Sequence, residues 1–181
     1  MSASKLPNVG TTIFTTMSAL AQEHGAINLA QGFPNFPIDP ILQEQLLRAS
    51  QENVHQYAPL QGLPVLREKV SGLIARQYKR SVDIHEILIT AGATQAIFTT
   101  IQALVFPGEE VIILDPSYDC YEAPVHLVGA KAIRIPLTDS FEPDWSLIEA
   151  NTTQNTKLLI INNPHNPSGK VWSSTDFNAL A

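Results

Sequence analysis

Four short, continuous apolar runs punctuate the second half of the chain: EILIT (86–90), EVIILD (110–115), AIRIPL (132–137) and KLLIIN (157–162). The connectors between them read as helices. Ala93 to Phe106 puts Ile97, Ile101, Leu104 and Val105 on one face, and Tyr121 to Val128 gives a shorter helix despite Pro124. Continuous strands alternating with helices predict βαβ units, with a parallel sheet covered on both faces. In such α/β sheets ligands bind beyond the carboxyl ends of the strands. Chemistry is therefore expected just after Thr90, Asp115 and Asn162.

The first half is organised differently. Residues 11–24 carry Ile13, Met17, Leu20 and Ala21 at helical spacing, closed by Gly25. INLAQGFPNFPIDP follows as a short strand and a punctuated loop. Asp39 to Glu52 predicts a helix with Pro40 at its first position, and Leu63 to Tyr78 another with Leu66, Val70, Leu73 and Ile74 on one face. At 181 residues, 44% apolar and 15% charged, the chain has the composition of an ordinary globular domain. A net charge of −6 offers no basic footprint for nucleic acid. The longest apolar segment, AIFTTIQALVF, falls below the ~18 residues a membrane helix needs, and the N-terminus lacks the apolar core of a signal peptide. With a lone Cys120 and no internal disulfide, a soluble cytoplasmic protein is expected. His24, His55, His85 and His126 lack ligand spacing, so no metal site is expected, and His165 reads as a surface turn residue.

Each strand end offers one handle. TAGATQAIF supplies Gly92, the Ala93 and Thr94 amides and the Thr94 hydroxyl at a helix start, where anions are favoured. It fits neither the dinucleotide nor the P-loop pattern. DPSYDCYE places Tyr118 about one turn past its strand, where a ring could face a planar ligand. In INNPHNPSGKVW, Pro164 and Pro167 restrict the backbone around Asn166, an amide able to donate to a phenolate-type oxygen. Each alone is also an ordinary capped turn or packing residue. Together they are the handles that pyridoxal phosphate needs: a phosphate seat, a stacking face and a rigid amide donor.

INLAQGFPNFP, QYAPLQGLPVLRE, ITAGATQAIF, DPSYDCYE and NNPHNPSGKVW, in this order, resemble the class I aminotransferases, fold type I pyridoxal-phosphate enzymes. The likeness is strongest to the branch of methionine aminotransferases and kynurenine–glutamine transaminases. It implies an N-terminal arm over residues 1–40 and part of the cofactor-binding large domain over 41–181. It implies that Gly92, Ala93 and Thr94 seat the phosphate, that Tyr118 stacks on the pyridine ring, and that Asn166, with Asn162 close by, bonds the phenolic oxygen. Tyr57 would reach the cofactor of the other subunit of a homodimer. Phe14 and Gly32 would line the amino-acid pocket together with Asn166, and Phe33 would add to its apolar character. The implied activity is transfer of an amino group from a methionine-, glutamine- or aromatic-type donor to a 2-oxo acid. A carbon–sulfur β-lyase, or a non-catalytic cofactor-binding and dimerising remnant, is the alternative.

The resemblance also exposes a departure. The family's Schiff-base lysine, its pyridinium Asp and its carboxylate-clamping Arg would all lie after Ala181. Lys170 stands where the family has a basic residue without catalytic use. No catalytic residue is therefore expected within the chain, which reads as an inactive N-terminal portion. EILIT would lack neighbouring strands, so marginal stability or aggregation is expected of the chain alone.

Overall fold

The computed structural model describes residues 3–7, 9–32 and 34–180. Ile13–Thr90 forms one compact unit, and the residues before and after it form the other.

In the unit that contains 91 onward, three parallel strands form a sheet in the order β2-β1-β3: β1 is Glu110–Asp115, β2 Lys131–Pro136 and β3 Thr156–Ile160. The central strand explains the continuous apolar run. Val111 and Ile113 point to one face, packing with Ile101 and Val105 of α4 (Ala93–Leu104) and Val125 of α5 (Glu122–Leu127). Ile112 and Leu114 point to the other face and meet Ile148 of α6 (Trp145–Asn151), Trp172, and Phe177 of α7 (Ser174–Leu180). Because successive side chains alternate across a sheet, a strand covered on both faces has no polar position to offer. Three layers result, with β1 at the centre.

Two helices here escaped the sequence pattern, and both carry start signals. The Asp144 carboxylate caps α6 by accepting from the Leu147 N–H at 3.0 Å. The Asp176 carboxylate reaches back to the Ser173 N–H at 2.7 Å ahead of α7. Each helix spans only 7 residues, too short for a clear helical period.

The unit Ile13–Thr90 holds α1 (Ile13–Glu23), α2 (Pro40–Gln51) and α3 (Pro64–Tyr78), then a single 3-10 turn at Ile84–Glu86. Pro40 and Pro64 start their helices, where a missing N–H costs nothing. Asp39 caps α2 through the Ile41 N–H at 2.8 Å. The face of α3 expected to be apolar is only partly covered: Leu66 and Leu73 are exposed, and the side chain most deeply set is Arg67, whose Nη1 donates to the Ile84 carbonyl at 3.0 Å.

Two expected strands do not form. Residues 87–90 join no ladder among the described residues, and the Ile89 N–H donates instead to the Gln61 carbonyl at 3.0 Å. Residues 26–32 are likewise irregular. A strand exists only through its neighbours' hydrogen bonds, and apolar composition cannot supply them.

An ion cluster ties β1 to β2 and α5. Arg134 grips Asp115 with two bonds, Nε at 2.7 Å and Nη2 at 2.6 Å, and also pairs with Glu122. His126 lies 3.1 Å from the other Glu122 oxygen. Burial pushes the Glu122 carboxyl up, but His126 and Arg134 outweigh it and hold the group below its ordinary 4.5. A depressed carboxylate adds stability above its unfolded pKa and loses it as pH falls through the folded value. Thermal midpoints should therefore fall between about pH 5 and pH 3, and less steeply in Glu122→Gln. Identical slopes for variant and wild type would remove Glu122 from the account.

Candidate functional site

The helix following residue 92 starts without any side-chain cap. Its N-cap, Gly92, has φ 86 and ψ 167, a region that essentially only glycine occupies. A Cβ there would meet no protein atom within 4 Å and would project into open space ahead of the helix. Ala93 and Thr94 follow, both exposed. Thr94 does not cap the helix, and its side chain interacts with the Cys120 thiol. Gln95 reaches back instead, its Oε1 accepting from the Ala91 N–H at 2.5 Å. The start of α4 thus combines a helix dipole with exposed backbone, the ordinary ingredients of an anion seat. Burial pushes the Cys120 thiol up, away from the thiolate form that a nucleophile needs.

Beyond β1, Tyr118 is half-buried, its ring standing edge-on to Tyr121 with centroids 6.0 Å apart and planes 80° apart. An edge contact holds a ring without covering its faces. Tyr121 is buried, burial raises its phenol, and its side chain interacts with that of Asn162 beyond β3. Tyr121 therefore links two strand ends. Its signal in the sequence, a second tyrosine three residues after Tyr118, was available but carried no chemistry of its own.

The third strand end begins earlier than expected, because β3 stops at Ile160 and not Asn162. Asn162 is half-buried on Tyr121, whereas Asn166 stands exposed at the tip of the turn. The Asn163 Oδ1 accepts from the Trp172 N–H at 2.8 Å, and the Trp172 indole N–H donates to the Phe141 carbonyl at 2.9 Å. His165 corrects the expectation of a surface residue: it is 4% exposed, stacked on Trp172. Burial pushes its imidazole below the ordinary value. A histidine between prolines looks like turn punctuation, and only the return of the chain through Trp172 covers it.

The remaining candidates belong to the other unit, described by itself. Phe14 lies half-buried in the first turn of α1. Gly32 is exposed, and a Cβ there would meet nothing within 4 Å. Tyr57 is fully exposed in a loop whose residues 52–61 are all exposed. Phe33 lies outside the described residues.

Comparison with known proteins gives a consistent answer. The sequence profile of the family described as "Aminotransferase class I and II" matches residues 24–181. Methionine aminotransferase from Escherichia coli (strain K12) is 48% identical over 179 residues, covering 98% of this chain and 46% of the relative. Kynurenine–oxoglutarate transaminase 3 from Rattus norvegicus is 35% identical, covering 99% of this chain and 42% of its own length. The solved structure of N-succinyldiaminopimelate aminotransferase from Mycobacterium tuberculosis superposes with a TM-score of 0.94 at 38% identity, over all of this chain and 48% of that one. The chain therefore spans about half the length of the relatives it matches, and its fold is that of the fold type I aminotransferases.

Proposed function

Since the chain belongs to the class I and II aminotransferases, we propose that it serves a pyridoxal-phosphate-dependent transamination, moving an amino group from a methionine-, glutamine- or aromatic-type amino acid to a 2-oxo acid. One observation carries the reading. An uncapped helix start, an edge-held tyrosine and an exposed asparagine amide occur in one unit, with Thr94 interacting with Cys120 and Tyr121 with Asn162. The donor set fits the cofactor. A phosphate dianion suits the start of α4, where the open space before Gly92 is the volume a side chain would fill.

When bound, pyridoxal phosphate supplies an electron sink for the bonds at an amino acid's Cα. The chain's own residues do the holding. Gly92, Ala93 and Thr94 bind the phosphate, Tyr118 lies against the pyridine ring, and Asn166 donates to the phenolic oxygen with Asn162 beside it. Asn166 also contacts the amino acid, and Tyr57 reaches a second copy in a homodimer. On this reading residues 1–40 are an arm, 41–181 belong to the cofactor domain, and the protein works in the cytoplasm. Among the described residues no helix is long and apolar enough to cross a membrane.

Transamination also needs a lysine to carry the cofactor and move the proton. Lys170 Nζ is engaged by Glu142 at 2.6 Å, and Lys131 by Glu110 at 3.5 Å. We therefore assign no catalytic lysine to this chain and propose that it turns over no substrate by itself.

Titration with pyridoxal phosphate, followed by tryptophan fluorescence, tests the seat. Saturable binding is expected, weakened about tenfold in Tyr118→Ala through loss of ring contact. No binding by the wild type would sink the reading. Turnover of methionine, glutamine or phenylalanine with a 2-oxo acid would overturn the assignment of an inactive chain.

A further inference from the structure

His165 is buried to 4% although its neighbour Asn166 is exposed. Its Nδ1 lies 2.8 Å from the Ser168 hydroxyl. Its ring stacks on Trp172, with centroids 5.7 Å apart and planes 20° apart. The backbone is held as well: the His165 N–H donates to the Lys170 carbonyl at 2.8 Å, and its carbonyl accepts from the Gly169 N–H at 2.7 Å. The Pro116 carbonyl, in the turn that leads into Tyr118, also interacts with the imidazole.

The prolines on either side limit torsions within the turn but attach it to nothing. A turn stiffened only internally can still pivot as a body. His165 supplies the attachment, to Ser168 within its own turn, to the anchored Trp172 beneath it, and to Pro116 across the sheet edge. A hydrophobic residue could fill the same volume without the cost of burying a polar ring. What the imidazole adds is direction, because hydrogen bonds fix orientation where packing alone does not.

We propose that His165 is a positioning residue for Asn166, fixing the Asn-Pro turn against the Tyr118 turn so that the amide meets the cofactor's phenolic oxygen. The proposal rests on the cofactor reading above and deepens it. His165 does not touch the ligand; it acts through the turn.

A double-mutant cycle on pyridoxal phosphate affinity tests it. His165→Phe keeps the stack on Trp172 and removes the ring's hydrogen bond to Ser168 and its polar interaction with the Pro116 carbonyl. It is expected to weaken binding about tenfold, as is Asn166→Ala, and the double variant should bind no worse than Asn166→Ala alone. The thermal midpoint of the ligand-free protein should change little in His165→Phe, which separates positioning from loss of fold. Wild-type affinity in His165→Phe, or effects that multiply in the double variant, would overturn the proposal while leaving the cofactor reading intact. If the wild type does not bind pyridoxal phosphate, or if Asn166→Ala binds as wild type, the cofactor reading fails and this proposal with it. Should His165→Phe not fold, Ser168→Ala removes one partner only. Its expected effect is about threefold, again absent on the Asn166→Ala background, and additivity there would count against the idea.

Discussion

Ile113→Ala is expected to destabilise the protein by about 4 kcal/mol, the cost of deleting a fully buried aliphatic side chain and leaving a cavity. Ile113 is 0% exposed at the middle of the central strand, between Ile101, Val105 and Val125. The strand is pinned on both edges by β2 and β3, so the surroundings cannot collapse to fill the gap. A domain with about 5–15 kcal/mol of stability has little left after such a loss. Urea titration of wild type and variant gives the measurement. A shift below about 1 kcal/mol would mean that the sheet is not the cooperative core described above. Ile113→Val, one methylene smaller, should cost about 1 kcal/mol and keeps the series interpretable if the alanine variant fails to fold.

Gly92→Val should weaken pyridoxal phosphate binding about a hundredfold, or about 2–3 kcal/mol. A β-branched residue cannot hold φ 86 and ψ 167 without strain, so the Ala93 amide would rotate away from the phosphate. The added side chain would also occupy the open space ahead of the helix. The core lies on the far side of α4, so most of the loss should appear in binding and only part of it in thermal midpoint. Competition with inorganic phosphate localises the effect. If the variant and wild type bind pyridoxal phosphate equally, the phosphate does not sit at Gly92.

Much of the fold was legible because local patterns encode local structure. Proline at a first helical position marked α2, apolar residues at helical spacing marked α3, and the apolar run VIIL marked a strand covered twice. The failures share a cause. EILIT has the composition of a strand, yet Ile89 bonds Gln61 and no ladder forms, since pairing belongs to two segments and composition to one. His165 carried no burial signal because Trp172, seven residues on, supplies its cover. Arg134, inside the run AIRIPL, is the grip on Asp115 across β1 and β2, a role that the run's apolar pattern did not announce.

The candidate site divides in the same way. Gly92, Tyr118 and Asn166 were picked out as expected strand ends, where ligands bind in α/β sheets; the structure forms the strands ahead of Tyr118 and Asn166, while Gly92 follows a segment that joins no ladder among the described residues. What holds them was not readable. Tyr121 joins Tyr118 to Asn162, Thr94 is engaged by Cys120, and His165 ties its turn to Trp172. The sequence by itself determined α1 to α5, the strand-rich core, the family and the candidate handles, since periodicity, torsional preference and residue chemistry act within a few residues. Only the tertiary structure decided the order β2-β1-β3, which apolar run became a strand, and which side chains brace the site. Those choices depend on partners tens of residues away, which no local pattern names.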